Sequence, residues 1–114
     1  MSIKKMTVTD WLRETIHFTH YAEYDFQDVR MRAICGDGMA VSIQHSRTHY
    51  CSPRIDGAQN YLSVEVGYPS EEPPEHWAKW QDGDAEVWGY VPMEDIEEWV
   101  AAHGGITYPE KEAP

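Results

Sequence analysis

The chain has 114 residues, which corresponds to one small domain, since domains most often contain ~100–150 residues. Hydrophobic residues make up 41% of the composition and charged residues 25%, which excludes wholesale disorder. No stretch approaches the ~18 apolar residues of a membrane span, and the first residues lack the apolar core of a signal peptide. We therefore expect one domain over residues 1–107 with a frayed tail over 108–114, in the cytoplasm and not bound to a membrane.

Acidic side chains are concentrated in the second half of the chain. Residues 1–57 carry seven basic and seven acidic side chains, whereas residues 58–114 carry two basic and thirteen acidic ones. The whole formal net charge of −11 therefore lies in the second half. Such a surface repels nucleic acid, because phosphate binding needs Lys and Arg to displace counterions. The charge favours a basic partner; the alternative is that it only keeps the protein soluble.

The first predicted element is a helix over residues 8–18. Thr7 followed by Asp10 has the spacing of a capping box. The apolar residues that follow fall on one helical stripe: Val8, Trp11, Leu12 and Ile16. Residues 17–26 mix aromatic and acidic side chains without a period, which indicates a loop.

A β-hairpin is predicted around Gly36-Asp37-Gly38, because glycine supplies the positive φ of a tight turn without steric cost. Polar and apolar residues alternate over 29–35 and again over 39–45. The turn pairs Cys35 with Met39. The expected inner face consists of Val29, Met31, Ala33, Cys35, Val41 and Ile43.

Two more strands and a second helix follow. A third strand is predicted over 61–68 with Leu62, Val64 and Val66 inward and Ser63 and Glu65 outward. An acidic, proline-rich loop separates it from a fourth strand over 85–91.

Pro92 suits the first position of a helix. The apolar stripe of this helix is Ile96, Trp99 and Val100, and Gly104-Gly105 ends it. The predicted fold class is therefore α+β, with a four-stranded antiparallel sheet, a central hairpin and flanking N- and C-terminal helices in the order α-β-β-β-β-α.

Metal and catalytic chemistry find little support in the residue pattern. His45, His49 and Cys51 leave open a three-ligand metal site. Cys35 does not complete it, because six residues of strand separate it from His45 by roughly 20 Å. Cys51 and His49 also suggest a nucleophile and its base, but no third group orients them. We expect no enzyme, no cofactor and no metal.

The loop around residues 49–54 is the strongest candidate for binding a small anion. Arginine offers a bidentate fork for phosphate, and a tyrosine ring offers a face on which a base stacks. The candidate ligand residues are Arg47, His49, Tyr50, Ser52 and Arg54. The alternative is an ordinary loop whose polar residues satisfy turns.

The segment 71–84 places Trp77 and Trp80 among acidic side chains. Exposed tryptophans with a charged rim are typical of protein-binding hot spots. The two indole rings folding back over the sheet is the alternative.

Five motifs, taken together and in order, resemble short proteins encoded by bacteriophages and prophages: ICGDGMAVSIQ, HYCSPR, YLSVEVGYPS, YVPMEDIEEWV and HGGI. The resemblance covers about residues 30–106. It implies a phage accessory gene of the class that often counters host immunity, anti-CRISPR proteins included. It supplies no role for any single residue.

Three functional hypotheses follow. In the first, a non-enzymatic counter-defence protein blocks a basic nucleic-acid-binding site of a bacterial host defence protein. Its predicted contact set is Glu71, Glu72, Glu75, Trp77, Trp80, Asp82, Asp84, Glu94, Glu97 and Glu98. In the second, the 49–54 loop sequesters a nucleotide signal at an interface of a homo-oligomer. The third is a phage accessory structural or regulatory protein.

Overall fold

The computed structural model describes residues 5–15 and 30–107 and has an α+β fold with a six-stranded antiparallel sheet. The strands are β1 (Lys5–Met6), β2 (Ala33–Cys35), β3 (Ala40–Gln44), β4 (Ser63–Gly67), β5 (Val87–Pro92) and β6 (Ile106–Thr107). The helices are α1 (Val8–Glu14), α2 (Met93–Ala102) and a 3₁₀ helix (Glu75–Trp80). The predicted tail over 108–114 lies outside the described residues.

The sheet has six strands and not the predicted four, because two short strands extend one side of it. The strand order is β1-β6-β2-β3-β4-β5, and every neighbouring pair is antiparallel. In β6, Ile106 pairs with Met6 on one side and with Cys35 on the other. Strands of two residues carry no readable alternation, and only their distant partners make them strands.

Helix α1 begins at Val8, directly after Thr7, which the sequence predicts as its N-cap. The Thr7 side chain accepts a hydrogen bond from Asp10 N at 3.1 Å, and Val8, Trp11 and Leu12 are buried. The helix ends at Glu14. The rest of the predicted helix, residues 16–18, lies outside the described residues, as does the predicted loop over 17–26.

The predicted hairpin is confirmed. Ala33 pairs with Val41, and Cys35 N donates to Met39 O at 2.8 Å across the predicted turn. The inward side chains Ala33, Cys35, Val41 and Ile43 are all buried. Met31 is partly buried, and Val29 lies outside the described residues.

A β-bulge in β5 shapes the next pair of strands. Val64 pairs with Val91 and Val66 with Trp88, so Gly89 and Tyr90 together oppose a single residue of β4. A bulge of this kind bends the strand and turns a side chain in a new direction. Here it keeps Trp88 and Val91 on the core face and sends Tyr90 to the opposite face.

The start of the third strand differs from the prediction. Val64 and Val66 are buried as expected, but Leu62 is 64% exposed and Ser63 only 6% exposed. The cause is a loop that covers the outer face of β4. Ser52 Oγ lies 2.6 Å from Ser63 Oγ, so the serine is buried against this loop.

Helix α2 follows β5 directly, with Pro92 as its N-cap. Its predicted stripe of Ile96, Trp99 and Val100 is buried, as expected. Gly104 has a φ of +96° and Gly105 a φ of +79°, which glycine adopts without strain. These residues turn the chain into β6.

Arg30 is a buried structural residue. It is 7% exposed and donates hydrogen bonds from its guanidinium to Leu12 O, His45 O and Thr15 Oγ1, at 2.8–2.9 Å. It therefore satisfies a carbonyl at the end of α1 and ties this helix to the end of β3. One of the seven basic side chains of residues 1–57 is therefore internal.

The buried side chains of the strands and of both α-helices form one hydrophobic cluster, which also includes Trp77 of the 3₁₀ helix. Within residues 5–15 and 30–107, no helix combines the length and the apolar character needed to cross a bilayer.

Candidate functional site

The loop of residues 49–54 lies against the face of the sheet that points away from the core. Tyr50 N donates to the Glu65 carboxylate at 2.8 Å, and Tyr90 N donates to Tyr50 O at 2.9 Å. Glu65 alternates with the buried Val64 and Val66, so its side chain leaves β4 on the outer face. The loop therefore has a fixed backbone position across β4 and β5.

The five residues predicted to hold a nucleotide do not converge on one site. Arg47 donates from its backbone and from its guanidinium to the carboxylate of Asp56. His49 is 8% exposed, and its Nδ1 lies 2.6 Å from Ser46 Oγ. The Ser52 hydroxyl forms a hydrogen bond with the hydroxyl of Ser63 in β4. These three contacts engage the polar groups of Arg47, His49 and Ser52, although the Arg47 side chain stays 58% exposed. Tyr50 and Arg54 are exposed and form no side-chain hydrogen bond or ion pair with a described residue.

Tyr50 is part of an exposed aromatic pair. Its ring stacks on that of Tyr90 with centroids 6.1 Å apart, and the two residues are 45% and 48% exposed. The guanidinium carbon of Arg54 lies 5.4 Å from the Tyr50 ring centroid, which is within cation–π distance. The sequence interpretation found Tyr50 and Arg54 but missed Tyr90, since only the bulge brings that ring to the same face.

The structure does not assemble the metal site left open for His45, His49 and Cys51. Their side chains bind separate groups: His45 Nε2 lies 3.3 Å from Ser52 O, and Cys51 Sγ donates to Ser46 O at 3.2 Å. Among the described residues, the ligand atoms of these three do not come within 4.8 Å of one another as a group.

Burial favours the neutral forms of these groups. It lowers the pKa of His45 and of His49, although Glu65 acts in the opposite direction on His49. Burial also raises the pKa of the Cys51 thiol, and it raises that of Cys35 to about 11. A nucleophilic cysteine needs its thiolate form, so this environment opposes the nucleophile and base suggested for Cys51 and His49.

Asp37, Glu71 and His103 form a group that sequence spacing did not reveal. Their ligand atoms lie within 4.8 Å of one another, and His103 Nδ1 is 2.6 Å from Asp37 Oδ2. Asp37 N also donates to His103 O. The hydrogen bond from Met39 N and the His103 side chain lower the pKa of Asp37. These contacts join the hairpin turn to the end of α2, and we assign Asp37 and His103 this structural role. Glu71 lies beside the pair without a hydrogen bond to it.

Eight exposed carboxylates define the acidic surface. In the part of the chain that the structure describes, none of them forms an ion pair or a side-chain hydrogen bond with a described residue. They are Glu71, Glu72, Glu75, Asp82, Asp84, Glu86, Glu94 and Glu98. Seven belong to the predicted contact set, and Glu86 is an addition.

Two acidic residues of α2 are engaged inside the fold. Glu97 is partly buried and accepts hydrogen bonds from Val8 N at 2.8 Å and from Thr9 N and Oγ1 at 3.0 and 2.9 Å. Asp95 lies 3.2 Å from His76 Nε2. Glu97 was expected to contact a partner, and this expectation is wrong because the carboxylate holds the first turn of α1.

Trp77 was also expected to be exposed, and it is fully buried. Its ring packs edge-on against Trp99 and Trp80 at centroid distances of 5.0 and 6.0 Å. The alternative prediction, in which both indole rings fold back over the sheet, agrees with the burial of Trp77. Trp80 is half-buried and retains an accessible edge.

Two grooves border the acidic surface. The acidic groove, of about 280 Å³, is lined by Glu71, Glu72, Glu86 and Trp88 among others. The aromatic groove, of about 400 Å³, is lined by Tyr50, Lys79, Trp80, Asp82, Gly89 and Tyr90 together with Gln81. The two differ in chemistry, since the first presents carboxylates and the second presents rings and a cation.

No family model matches the chain, and neither the curated proteins nor the solved structures give a significant match.

Proposed function

We propose that the protein is a non-enzymatic inhibitor whose acidic surface occupies a basic nucleic-acid-binding site of a partner protein. The observation that carries the proposal is the state of the eight carboxylates of the acidic surface, which are exposed and have no cationic partner among the described residues. Carboxylates that are paired with cations of the same chain would interact only weakly with the cations of a partner, because their charge would already be neutralised within the fold.

The physical basis is electrostatic complementarity. Unpaired surface charges steer the encounter with a surface of opposite sign and reject partners of like sign. A basic groove that binds phosphate through Lys and Arg presents the same charges to a carboxylate surface. The protein would therefore compete with nucleic acid for the groove without binding nucleic acid itself.

The acidic groove is the centre of this docking surface. Glu71, Glu72 and Glu86 line one concave site, and Trp88 forms part of its wall. An arginine or lysine of the partner would enter between the carboxylates, with charge-assisted hydrogen bonds that are shorter and stronger than neutral ones. Trp80 provides apolar contact, whereas Trp77 and Glu97 are removed from the proposed contact set.

The resemblance to phage-encoded proteins supports the choice of partner. It implies that the partner is a nucleic-acid-dependent immune effector of a bacterial host, as for anti-CRISPR proteins, and that the protein acts in the host cytoplasm.

The test is competition for nucleic acid on a panel of purified RNA-guided nucleases and other nucleic-acid-dependent immune effectors. Fluorescence anisotropy of a labelled nucleic acid reports its release as the protein is added. We expect release from at least one effector, at an association rate that falls as salt rises. The variant E71Q/E72Q should need about 10-fold more protein, since it removes two carboxylates of the acidic groove.

The matched control is D10N/D56N, which changes the net charge equally at residues outside the acidic surface. It should release nucleic acid as the wild type does. Release of nucleic acid from no effector would contradict the proposal. Equal loss in both variants would show that net charge, and not the acidic groove, is responsible.

A further inference from the structure

The aromatic groove contains exposed rings that the stability of the fold does not require. Tyr90 is 48% exposed, and its backbone has a φ of +55°, in the left-handed region. A residue other than glycine costs about 1–2 kcal/mol there, because its Cβ approaches the following carbonyl. Glycine or asparagine would adopt this conformation more easily. Tyr68 has a similar exposure and φ outside the groove, so the case for a role of Tyr90 depends on the groups that surround it in the groove.

The backbone around the groove fixes the two tyrosines as one platform. The bulge at Gly89 and Tyr90 directs the Tyr90 ring to the outer face, and Tyr90 N donates to Tyr50 O at 2.9 Å. A Cβ on Gly89 would lie 3.0 Å from the Cβ of Tyr50, a tight contact that would require Tyr50 to shift, so glycine suits this close approach. Both rings are therefore held in place before any ligand binds, which reduces the entropy lost on binding.

Two cations lie beside the rings. Lys79 Nζ is 5.0 Å from the centroid of the Trp80 ring, and the Arg54 guanidinium lies over Tyr50. Neither forms an ion pair with a carboxylate within the described residues, although many carboxylates lie nearby in this part of the chain. The groove therefore offers positive charge that is available to an incoming group.

We propose that the aromatic groove binds a free nucleotide. The base stacks on the exposed ring of Tyr90, which itself stacks on Tyr50, and stacking gives about 1–3 kcal/mol per base. Lys79, which lines the groove, binds the phosphate as a charge-assisted donor, and Arg54 adds positive charge beside the groove, over Tyr50. The Asp82 carboxylate, which lines the same groove, accepts hydrogen bonds from ribose hydroxyls.

The size and charge of the groove favour a free nucleotide over a nucleic-acid strand. Its volume of about 400 Å³ is at the lower end of small-molecule sites, which run from ~300 to ~1,000 Å³. A strand continues beyond the groove, where it meets the acidic surface and a net charge of −11. Each further phosphate is then repelled, whereas one or two phosphates interact only with the local cations.

This inference does not rest on the proposed function, because its ligand and its groove are different, although Trp80 and Asp82 belong to both proposed contact sets and Gln81 lines both grooves. It modifies the nucleotide hypothesis drawn from the sequence by keeping Tyr50 and Arg54. Tyr90, Trp80, Lys79 and Asp82 replace Arg47, His49 and Ser52, whose polar groups are already engaged.

The experiment is isothermal titration calorimetry of the full chain with AMP, GMP, CMP, UMP, cyclic AMP and ADP-ribose. Adenosine and inorganic phosphate are the partial ligands, and a short oligodeoxyadenylate represents the strand. We expect at least one nucleotide to bind more tightly than both partial ligands and more tightly, per molecule, than the oligonucleotide. The variant E71Q/E72Q should bind it as the wild type does.

Three variants assign the binding to the groove. Tyr90→Ala should weaken the bound nucleotide about 5-fold or more through lost stacking, whereas Tyr90→Phe should keep binding within about 2-fold. Lys79→Ala should weaken the nucleotide but not adenosine. Tyr68→Ala is the matched control, because Tyr68 is 59% exposed with a φ of +48° and does not line the groove.

The proposal is overturned if no nucleotide of the panel binds more tightly than inorganic phosphate, or if the oligonucleotide binds best. It is also overturned if Tyr90→Ala, shown to be folded by circular dichroism, binds the nucleotide as tightly as Tyr68→Ala does. If the alanine variant does not fold, Tyr90→Phe keeps the test decisive. A clear loss of nucleotide binding in Tyr90→Phe, which retains the aromatic ring, would exclude stacking as the source of the affinity.

Discussion

His49 illustrates how a single buried imidazole couples the fold to pH. Its burial lowers its pKa, so the folded protein favours the neutral ring. In the unfolded chain the ring takes up a proton as the pH falls through its ordinary pKa of about 6.5. The unfolded state then binds more protons than the folded state, and the folded state loses stability as the pH falls below that value.

We therefore predict that the free energy of unfolding falls more steeply between about pH 7.5 and 5.5 in the wild type than in His49→Gln. The difference in slope has an upper limit of about 1.4 kcal/mol per pH unit, the value for one proton. Urea unfolding at a series of pH values measures both slopes. Parallel curves for the two proteins would show that His49 does not lose its proton-binding capacity on folding.

At the same scale, the exposure of single side chains was the least predictable property. Trp77 lies in a segment rich in acidic and proline residues, which is a composition typical of a loop. Its ring is buried against Trp99 in α2. Leu62 follows the alternation of the predicted strand but lies just before β4, which begins at Ser63, and the contact with Ser52 buries Ser63 instead. In both cases the deciding neighbour is distant in sequence, so periodicity alone carries no information about it.

At the scale of elements, the carboxylate of Glu97 joins the two α-helices. It accepts hydrogen bonds from two backbone N–H groups in the first turn of α1, where helices have donors without internal partners. Removing a partner from a partly buried donor costs about 1–3 kcal/mol. We predict that Glu97→Ala lowers the free energy of unfolding by about 2–3 kcal/mol, measured by urea unfolding.

Glu98→Ala is the matched control for this prediction, because Glu98 is the next residue of α2 and is exposed. Its replacement should change stability by no more than about 0.5 kcal/mol. Equal effects of the two substitutions would show that the contact with α1 adds nothing beyond the helix propensity of glutamate.

Elements with a strong local pattern were predictable, and those made by distant pairing were not. The turn at Gly36-Asp37-Gly38 fixes the hairpin and its register, and the stripe of α2 follows from its period. Strand β6 exists because the turn after α2 returns the chain between β1 and β2. The bulge that creates the aromatic groove is likewise a property of the β4–β5 pair, and no short sequence motif predicts it.

At the scale of the whole molecule, the distribution of charge was predictable in outline. Composition places the acidic side chains in the second half, and most of the predicted contact carboxylates are exposed there. The exceptions are carboxylates recruited by the fold, such as Glu97. Two arginines of the first half also interact within the fold, since Arg30 is buried and Arg47 forms an ion pair with Asp56. The eight carboxylates of the acidic surface have no such partners among the described residues.

A net charge of −11 on a small molecule predicts a stability that rises with salt. At about 10 mM salt the Debye length is about 30 Å, comparable to the molecule's extents of 40 × 33 × 26 Å, so carboxylates repel one another across the whole protein. At about 150 mM it falls to about 8 Å, and only near neighbours still interact. We expect the melting temperature to rise over this range by roughly 4–8 °C, which corresponds to about 1 kcal/mol.

Calorimetry in sodium chloride measures the change, and E71Q/E72Q should show a smaller rise than the wild type because two repelling charges are gone. A melting temperature independent of salt would mean that the acidic surface carries little mutual repulsion, and the electrostatic argument for docking would lose its physical basis.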